Sequence, residues 1–294
     1  MSHSPLMQSV DARSASALAS GALQPVQSEE IRIEQDGLSF VVRWVSSLAA
    51  KDASKPAAIP GGPRDPNFNP FLNPDPELTV GPLGDTHVAI LNKFPLSVQH
   101  LVLACREFEE QLLPLTAADF TALARVMTEA GGLGLYNGGT AAGASQRHKH
   151  VQWIPSTPEN AGLALFGAGL PQNLPQLGVA RHPALPMQHC FVRVDCGPGM
   201  PVEQAAAALQ QAWEKGVTEL GLKPGADGLM PPYNMLAGDG WMLLIPRSQE
   251  QYEGISLSAI CFGGTLYTRT REQVDLVQQA GPLQVLAGVG FGTS

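Results

Sequence analysis

The 294-residue chain is poor in charged residues and in long apolar runs, and each shortage excludes a class of protein. Only 15% of the residues are charged while 44% are hydrophobic, which excludes a disordered, charge-driven chain over most of the length. No apolar run approaches the roughly 18 residues that a membrane span requires, and the N-terminal stretch lacks the pattern of a signal peptide. We therefore expect a cytoplasmic protein that does not bind membranes.

Cysteine and positive charge are also scarce. The four cysteines form no CxxC pair and are too few for a disulfide scaffold, which is typical of a reducing compartment. The net charge of −8 argues against a nucleic-acid-binding surface, because affinity for a phosphate backbone depends on clustered lysine and arginine. A small anionic ligand remains open if cations converge locally.

Glycine and proline are abundant, with 31 and 25 residues, and predict many turns between short elements. Residue alternation and type predict strands at 40–44, 87–91, 100–104, 191–194 and 241–245. Apolar periodicity predicts helices after the capping pair Thr116 and Asp119 and over residues 202–220. The irregular order of these elements favours an α+β fold with a mostly antiparallel sheet and flanking helices.

The breaks between the elements indicate the domain organisation. We expect two packed halves, at residues 28–165 and 180–294, with residues 1–27 as a loose N-terminal arm. Residues 57–82 are rich in proline, glycine and asparagine and predict an ordered loop or a flap.

The segment that carries chemistry runs from Asn137 to Pro155, where a loop of small residues leads into a strand. Strand side chains alternate between faces, so His148, His150 and Gln152 share one face while Lys149 takes the other. Glycines upstream would let backbone amides approach a ligand, which suits a phosphate chain. For Lys149, the sequence leaves open a solvated outer position or a role in steering phosphate.

The histidine pair has three interpretations. One ring could satisfy a buried carbonyl while the other faces solvent. The pair could supply two zinc ligands, although a catalytic zinc site usually needs a third protein ligand and none lies nearby in sequence. A neutral imidazole could also attack phosphorus while its second nitrogen donates to an acceptor that fixes the tautomer.

The segment resembles the nucleophile motif of the histidine triad superfamily, in the HxHxQ form shared by its transferases and the hexose-1-phosphate uridylyltransferases. Residues 87–94 and 100–103 are similar to the nucleoside-binding strands of that superfamily. Residues 233–236 and 241–248 resemble a C-terminal block peculiar to one family, the diadenosine tetraphosphate phosphorylases, also called ATP adenylyltransferases. The resemblance implies a histidine-triad-like fold in which the second half completes the site.

The resemblance also implies residue roles. His150 would be the nucleophile that accepts AMP, with His148 supporting the site and Gln152 contacting the transferred phosphate. The ribose would lie at Asn92, beside Lys93. The remaining positions that match phosphate or nucleotide contacts are Lys51 (or Lys55 if that loop is shifted), Asn137, Gly143, Ala144, Ser145, Gln146, Ser258, Ala259, Ile260 and Arg269.

The activity implied is cleavage of diadenosine tetraphosphate by inorganic phosphate to ATP and ADP, through an adenylyl-histidine intermediate. Because the substrate and the chain are both negative, we expect Mg²⁺ to arrive on the substrate phosphates rather than in a protein-held site. We expect a monomer. A hexose-1-phosphate uridylyltransferase, a dinucleoside polyphosphate hydrolase and a noncatalytic nucleotide sensor are the alternatives.

Overall fold

The structure is a computed structural model that describes residues 5–26, 28–44, 69–95, 97, 99–157 and 159–293. Within these ranges, every helix is too short or too polar to cross a membrane. The strands are β1 Glu29–Gln35, β2 Leu38–Trp44, β3 Thr79–Leu83, β4 His87–Leu91, β5 Leu101–Cys105, β6 Leu133–Gly138, β7 His150–Ile154, β8 Val179–Ala180, β9 Cys190–Arg193, β10 Tyr233–Gly238, β11 Trp241–Pro246, β12 Gln251–Tyr252, β13 Ile255–Ser256 and β14 Thr265–Thr268.

A nine-stranded sheet organises the described part of the chain, in the order β3-β4-β5-β7-β6-β10-β11-β9-β8. Every neighbouring pair in it is antiparallel, which confirms the predicted mostly antiparallel α+β architecture. Strand β7 lies between β5 and β6, so the histidine motif is at the centre of the sheet. Because β6 pairs with β10, the two predicted halves contribute strands to one sheet; their division into domains stays a prediction.

The helices are α1 Pro5–Ser20, α2 Ala117–Ala130, α3 Val202–Glu219, α4 Arg271–Ala280 and α5 Pro282–Ala287. Helix α2 begins at the predicted capping pair, since the N–H and the hydroxyl of Thr116 both donate to Asp119 Oδ2, at 2.7 and 2.8 Å. Helices α2 and α3 pack together through Phe120 and Trp213, whose ring centroids are 6.0 Å apart.

Two apolar cores enclose the large sheet. Helices α1, α2 and α3 cover one face, where Phe120, Leu123 and Leu209 are buried. On the other face lie the small sheet β1-β2-β14 and the C-terminal helices, with Phe40, Leu266 and Val285 buried. Burying a side chain of this size contributes about 1.5–3 kcal/mol, so both faces hold β7 in place.

Residues 5–20 are a packed helix, which corrects the expectation of a loose N-terminal arm there. Met7, Val10 and Ala17 are buried, and α1 packs against β3 and α2. The segment is rich in serine and alanine and has a weak apolar stripe, so its sequence alone carries little helical signal. Packing against the sheet supplies the stability that the local pattern lacks.

Candidate active site

His150 is the first residue of β7, opposite Ala104 of β5. Its Nδ1–H donates to the main-chain carbonyl oxygen of His148 at 2.8 Å, so the lone pair of the neutral ring is on Nε2. Burial lowers the pKa of His150 to about 4, although the bond to His148 opposes that shift. Nε2 has no hydrogen-bond partner among the described residues. The ring is therefore a neutral imidazole with one free, nucleophilic nitrogen.

The backbone of His150 is held on both sides by one buried side chain, Gln111. Gln111 Oε1 accepts from the N–H of His150 at 2.8 Å, and Gln111 Nε2 donates to the carbonyl oxygen of His150 at 3.1 Å. The same Nε2 donates to the carbonyl oxygen of Asn137 at 2.8 Å. Gln111 thus fixes the start of β7 relative to the end of β6, and sequence reasoning missed it because no motif marks it.

A hydrogen-bonded series of side chains sets the orientation of Gln152. The N–H of Phe94 donates to Asn92 Oδ1 at 3.2 Å, and Asn92 Nδ2 donates to His100 Nδ1 at 3.3 Å. His100 Nε2–H then donates to Gln152 Oε1 at 2.8 Å. Burial lowers the pKa of His100 to about 4, so this ring too is neutral. With its oxygen occupied, Gln152 is left with its amide N–H groups to offer to an anion.

The loop after β6 and the segment before β14 meet at Asn137. Asn137 Oδ1 accepts from the N–H of Ala259 at 2.7 Å. Gly143 has φ of +87°, and a Cβ there would lie 2.8 Å from the carbonyl oxygen of Leu257 and 2.9 Å from Cβ of Ser258. Only glycine permits this backbone conformation and this close approach. The structure thereby brings the predicted loop and C-terminal contacts into one place.

The ring of His148 is held in place by packing and by two polar contacts. Its Nε2–H donates to the carbonyl oxygen of Cys105 at 2.8 Å, and its Nδ1 lies 3.1 Å from Asn69 Oδ1. Phe71 packs against both histidines, with its ring centroid 5.8 Å from His148 and 5.0 Å from His150. The polar contacts occupy both ring nitrogens of His148, so only Nε2 of His150 could ligate a zinc ion, and the arrangement disfavours the zinc interpretation.

Lys149 occupies the opposite face, as predicted, but it is fully buried and neither solvated nor directed at a phosphate site. Its Nζ lies 3.1 Å from Glu109 Oε2 and 3.1 Å from Asp119 Oδ2, and it donates to the carbonyl oxygen of Pro114 at 2.8 Å. Burial alone would raise the pKa of Asp119, but hydrogen bonding with His87 and the charge of Lys149 lower it to about 2. The lysine therefore anchors the back of β7 through a buried ion pair.

Three potential metal ligands, His87, Cys105 and Asp119, also meet behind β7. Asp119 Oδ1 lies 3.1 Å from His87 Nε2 and 3.8 Å from Cys105 Sγ. The ammonium group of Lys149 already compensates the carboxylate, and burial raises the pKa of the Cys105 thiol to about 12. The donor set therefore fits a hydrogen-bonded ion-pair network better than a metal centre.

For the other predicted nucleotide contacts, the structure shows their position and exposure. Lys93 is exposed, with Nζ 5.9 Å from the centroid of the Phe94 ring. Arg269 follows β14, where its N–H donates to Gln273 Oε1 at 2.8 Å. In the loop, Ser145 is exposed and its neighbours Ala144 and Gln146 are half-buried. The side chains of Ala259 and Ile260 are buried, so only the backbone of these two residues could reach a ligand. Lys51 and Lys55 lie outside the described residues. Their roles, like those of all the site residues, stay predictions.

Comparisons with known proteins cover both halves of the chain. A family model described as the Ap4A phosphorylase N-terminal domain matches residues 1–165, and one described as the ATP adenylyltransferase C-terminal domain matches residues 183–292. The chain is similar to diadenosine 5',5'''-P1,P4-tetraphosphate phosphorylase 2 of Saccharomyces cerevisiae, with 27% identity over 286 residues, covering 85% of this chain and 82% of that protein.

The fold is similar to that of two solved structures. The crystal structure of yeast Ap4A phosphorylase Apa2 in complex with AMP has a TM-score of 0.79 and 21% identity, covering 100% of this chain and 99% of that one. The complex of Apa2 with Ap4A has a TM-score of 0.77 and 20% identity, covering 100% of both chains. At this identity the likeness establishes the fold.

Proposed function

The chain belongs to the Ap4A phosphorylase (ATP adenylyltransferase) family, and from that membership we propose that it cleaves diadenosine tetraphosphate (Ap4A) with inorganic phosphate to ATP and ADP. The observation that carries the proposal is the state of His150. Its Nδ1–H donates to the carbonyl oxygen of His148 at 2.8 Å, and no described residue occupies its Nε2, the nitrogen that would attack.

The reaction consists of two displacements at the same phosphorus. His150 Nε2 attacks one α-phosphorus of Ap4A, the P–N bond forms, and the bond to the bridging oxygen breaks so that ATP leaves. The adenylylated ring then carries a positive charge, which the carbonyl oxygen of His148 stabilises through Nδ1–H. An oxygen of inorganic phosphate attacks the same phosphorus, the P–N bond breaks, and ADP leaves with neutral His150 restored.

The amide groups around His150 would hold the transferred phosphoryl group. Gln152 has its oxygen occupied by His100, and Asn137 has its oxygen occupied by Ala259, so each can turn N–H groups toward anionic oxygens. Donors fixed in advance cost no reorganisation when charge develops in the transition state. Mg²⁺ is proposed as part of the substrate, held by the phosphate chain, because Asp119 and Glu109 are engaged by Lys149.

The choice of acceptor follows from Gln152. An amide does not exchange a proton near neutral pH, so Gln152 can hold the adenylyl group but cannot activate water as a base. Phosphate arrives already anionic and needs no such activation. The proposed enzyme therefore forms ADP rather than AMP. A cytoplasmic location and a monomeric state belong to the same proposal.

The test separates the two displacements. Wild-type protein and His150→Ala are incubated with Ap4A and Mg²⁺ without phosphate, and the intact proteins are weighed by mass spectrometry. We expect wild type to gain one adenylyl group and to release ATP, with the group mapped to His150 in peptides, and His150→Ala to do neither. Phosphate added to the adenylylated protein should release ADP.

The opposite results would count against specific parts of the proposal. AMP as the main product at millimolar phosphate would make the protein a hydrolase. Adenylylation of His150→Ala would assign the nucleophile to another residue. Transfer from a uridine diphosphate sugar with no reaction of Ap4A would favour a uridylyltransferase.

A further inference from the structure

Two buried residues of the C-terminal block, Asn234 of β10 and Arg247 just after β11, adjoin the active site without a role in the steps above. Nη1 of Arg247 donates to Asn234 Oδ1. Asn234 Nδ2 donates to Asn137 Oδ1 and to the carbonyl oxygen of Ala142, each at 2.9 Å. A continuous series of hydrogen bonds thus joins the guanidinium of Arg247 to Asn137 and to the loop that follows β6.

The guanidinium and two main-chain groups impose one direction on the series. Arginine has donors and no acceptor, so Asn234 must present its oxygen to Arg247 and its nitrogen to Asn137. Asn137 must then present its oxygen, which also accepts from the N–H of Ala259 at 2.7 Å. The carbonyl oxygen of Ala142 and the N–H of Ala259 reinforce this direction, because a 180° turn of either amide would place like groups against them. Asn137 Nδ2, for which the described residues supply no hydrogen-bond partner, is left on the side away from Asn234.

The position of Arg247 is fixed by neutral oxygens. Its Nε donates to the carbonyl oxygen of Val289 at 3.1 Å, and its Nη2 donates to the carbonyl oxygens of Gln249 at 2.9 Å and Leu257 at 3.0 Å. None of the salt bridges among the described residues includes Arg247. A buried cation without an ion-pair partner costs free energy of folding. Alignment of the Asn234 and Asn137 amides would give Arg247 a function in addition to its bonds to the main chain.

We propose that Arg247 and Asn234 are positioning residues that turn the amide N–H groups of Asn137 toward the phosphoryl group transferred by His150. The inference rests on the proposed function, since it concerns the same transferred group. It also gives the predicted role of the second half in completing the site a physical form. The C-terminal block contributes an orienting charge in addition to the backbone of residues 258–260.

The test is a double-mutant cycle on Asn234 and Asn137. Asn234→Asp keeps an oxygen for Arg247 but replaces the donor that faces Asn137 with an acceptor. We expect the repulsion between the two oxygens to outweigh the hydrogen bond from the N–H of Ala259, so that Asn137 turns its own oxygen toward the phosphate. Loss of one donor to the transition state lowers kcat about 10²-fold. We expect Asn234→Asp and Asn137→Ala each to lower kcat/KM for Ap4A by about that factor, and the double variant to fall within about threefold of Asn137→Ala.

Asn173→Asp is the matched control, because it adds the same charge at an exposed asparagine. Its kcat/KM should equal that of wild type. Losses that multiply to about 10⁴-fold in the double variant would show that Asn234 acts on its own, through charge or folding, and would overturn the inference. So would normal turnover by Asn234→Asp.

Two variants of Arg247 test the same inference if Asn234→Asp does not fold. Lysine is also a pure donor, whereas a glutamine amide can present either end to Asn234. Arg247→Lys should therefore retain more kcat/KM than Arg247→Gln, and this difference should vanish in the Asn137→Ala background. A difference that persists there would overturn the inference. Absence of phosphate-dependent ADP formation by wild type would instead remove the proposed function.

Discussion

Gln111→Ala removes the side chain that holds the backbone of the proposed nucleophile. Gln111 is 2% exposed and makes three hydrogen bonds to main-chain groups, two of them to His150 and one to Asn137. A hydrogen bond contributes about 1 kcal/mol net, and an unsatisfied buried group costs about 1–3 kcal/mol. Two main-chain groups of His150 lose their partner here, while the carbonyl oxygen of Asn137 keeps the N–H of Gly139 at 3.1 Å, so we expect the free energy of unfolding to fall by about 2–5 kcal/mol.

The same substitution should reduce catalysis beyond its effect on stability. His150 Nε2 must meet the α-phosphorus in line, and a displacement of about 1 Å at a reacting group costs about 10²-fold in rate. We expect the single-turnover rate of adenylylation to fall by 10- to 100-fold, on the order of that figure, under conditions where the variant is fully folded. Substrate affinity should change less, because the hydrogen bonds of the Gln111 side chain go to main-chain groups of His150 and Asn137.

Urea unfolding and rapid-quench measurement of ATP release test both expectations. Gln279→Ala, at an exposed position of α4, is the matched control and should lie within about 0.5 kcal/mol of wild type with unchanged turnover. A destabilisation of Gln111→Ala below about 1 kcal/mol would refute the hydrogen-bond reasoning. Normal adenylylation by a destabilised variant would refute the positioning role.

Five further outcomes are expected. Because burial lowers the pKa of His150 to about 4, adenylylation should stay constant down to about pH 5, whereas a midpoint near 6.5 would contradict burial of the neutral ring. The unfolded histidine titrates near 6.5, so the free energy of unfolding should fall by about 3 kcal/mol for this group as the pH drops from 6.5 to 4 in urea titrations. His148→Ala keeps the main-chain oxygen that holds His150, so its ATP release should be reduced while that of His150→Ala is abolished; equal losses would contradict this. Gln152→His supplies an exchangeable proton and should raise the ratio of AMP to ADP across phosphate concentrations, and an unchanged ratio would argue against the acceptor mechanism. Lys149→Met leaves Asp119 charged and buried, so urea unfolding should show a loss of about 3–5 kcal/mol, and a loss below 1 kcal/mol would contradict the ion-pair role.

The sequence by itself determined the features that depend on neighbours along the chain. Alternation placed His150 and Gln152 on one face of a strand, whereas His148, predicted on the same strand, forms an isolated bridge with Glu110 just before it. The Thr116 and Asp119 pair marked the start of α2. The mostly antiparallel α+β fold followed from the order of short elements between glycine and proline breaks. These signals can be recognised in the sequence because strand alternation and helix capping act over two to four residues.

Only the tertiary structure decided which distant groups meet the motif. Gln111 lies 39 residues from His150, His100 lies 52 residues from Gln152, and Asn234 lies 97 residues from Asn137. The tertiary structure also decided the burial of Lys149 and of α1. Lys149 is paired with Asp119 of α2, and α1 packs against strand β3 of the large sheet. A buried polar group needs a hydrogen-bond partner, and the fold supplies it from a distant part of the chain. Such pairs follow no sequence periodicity, so the sequence alone does not predict them.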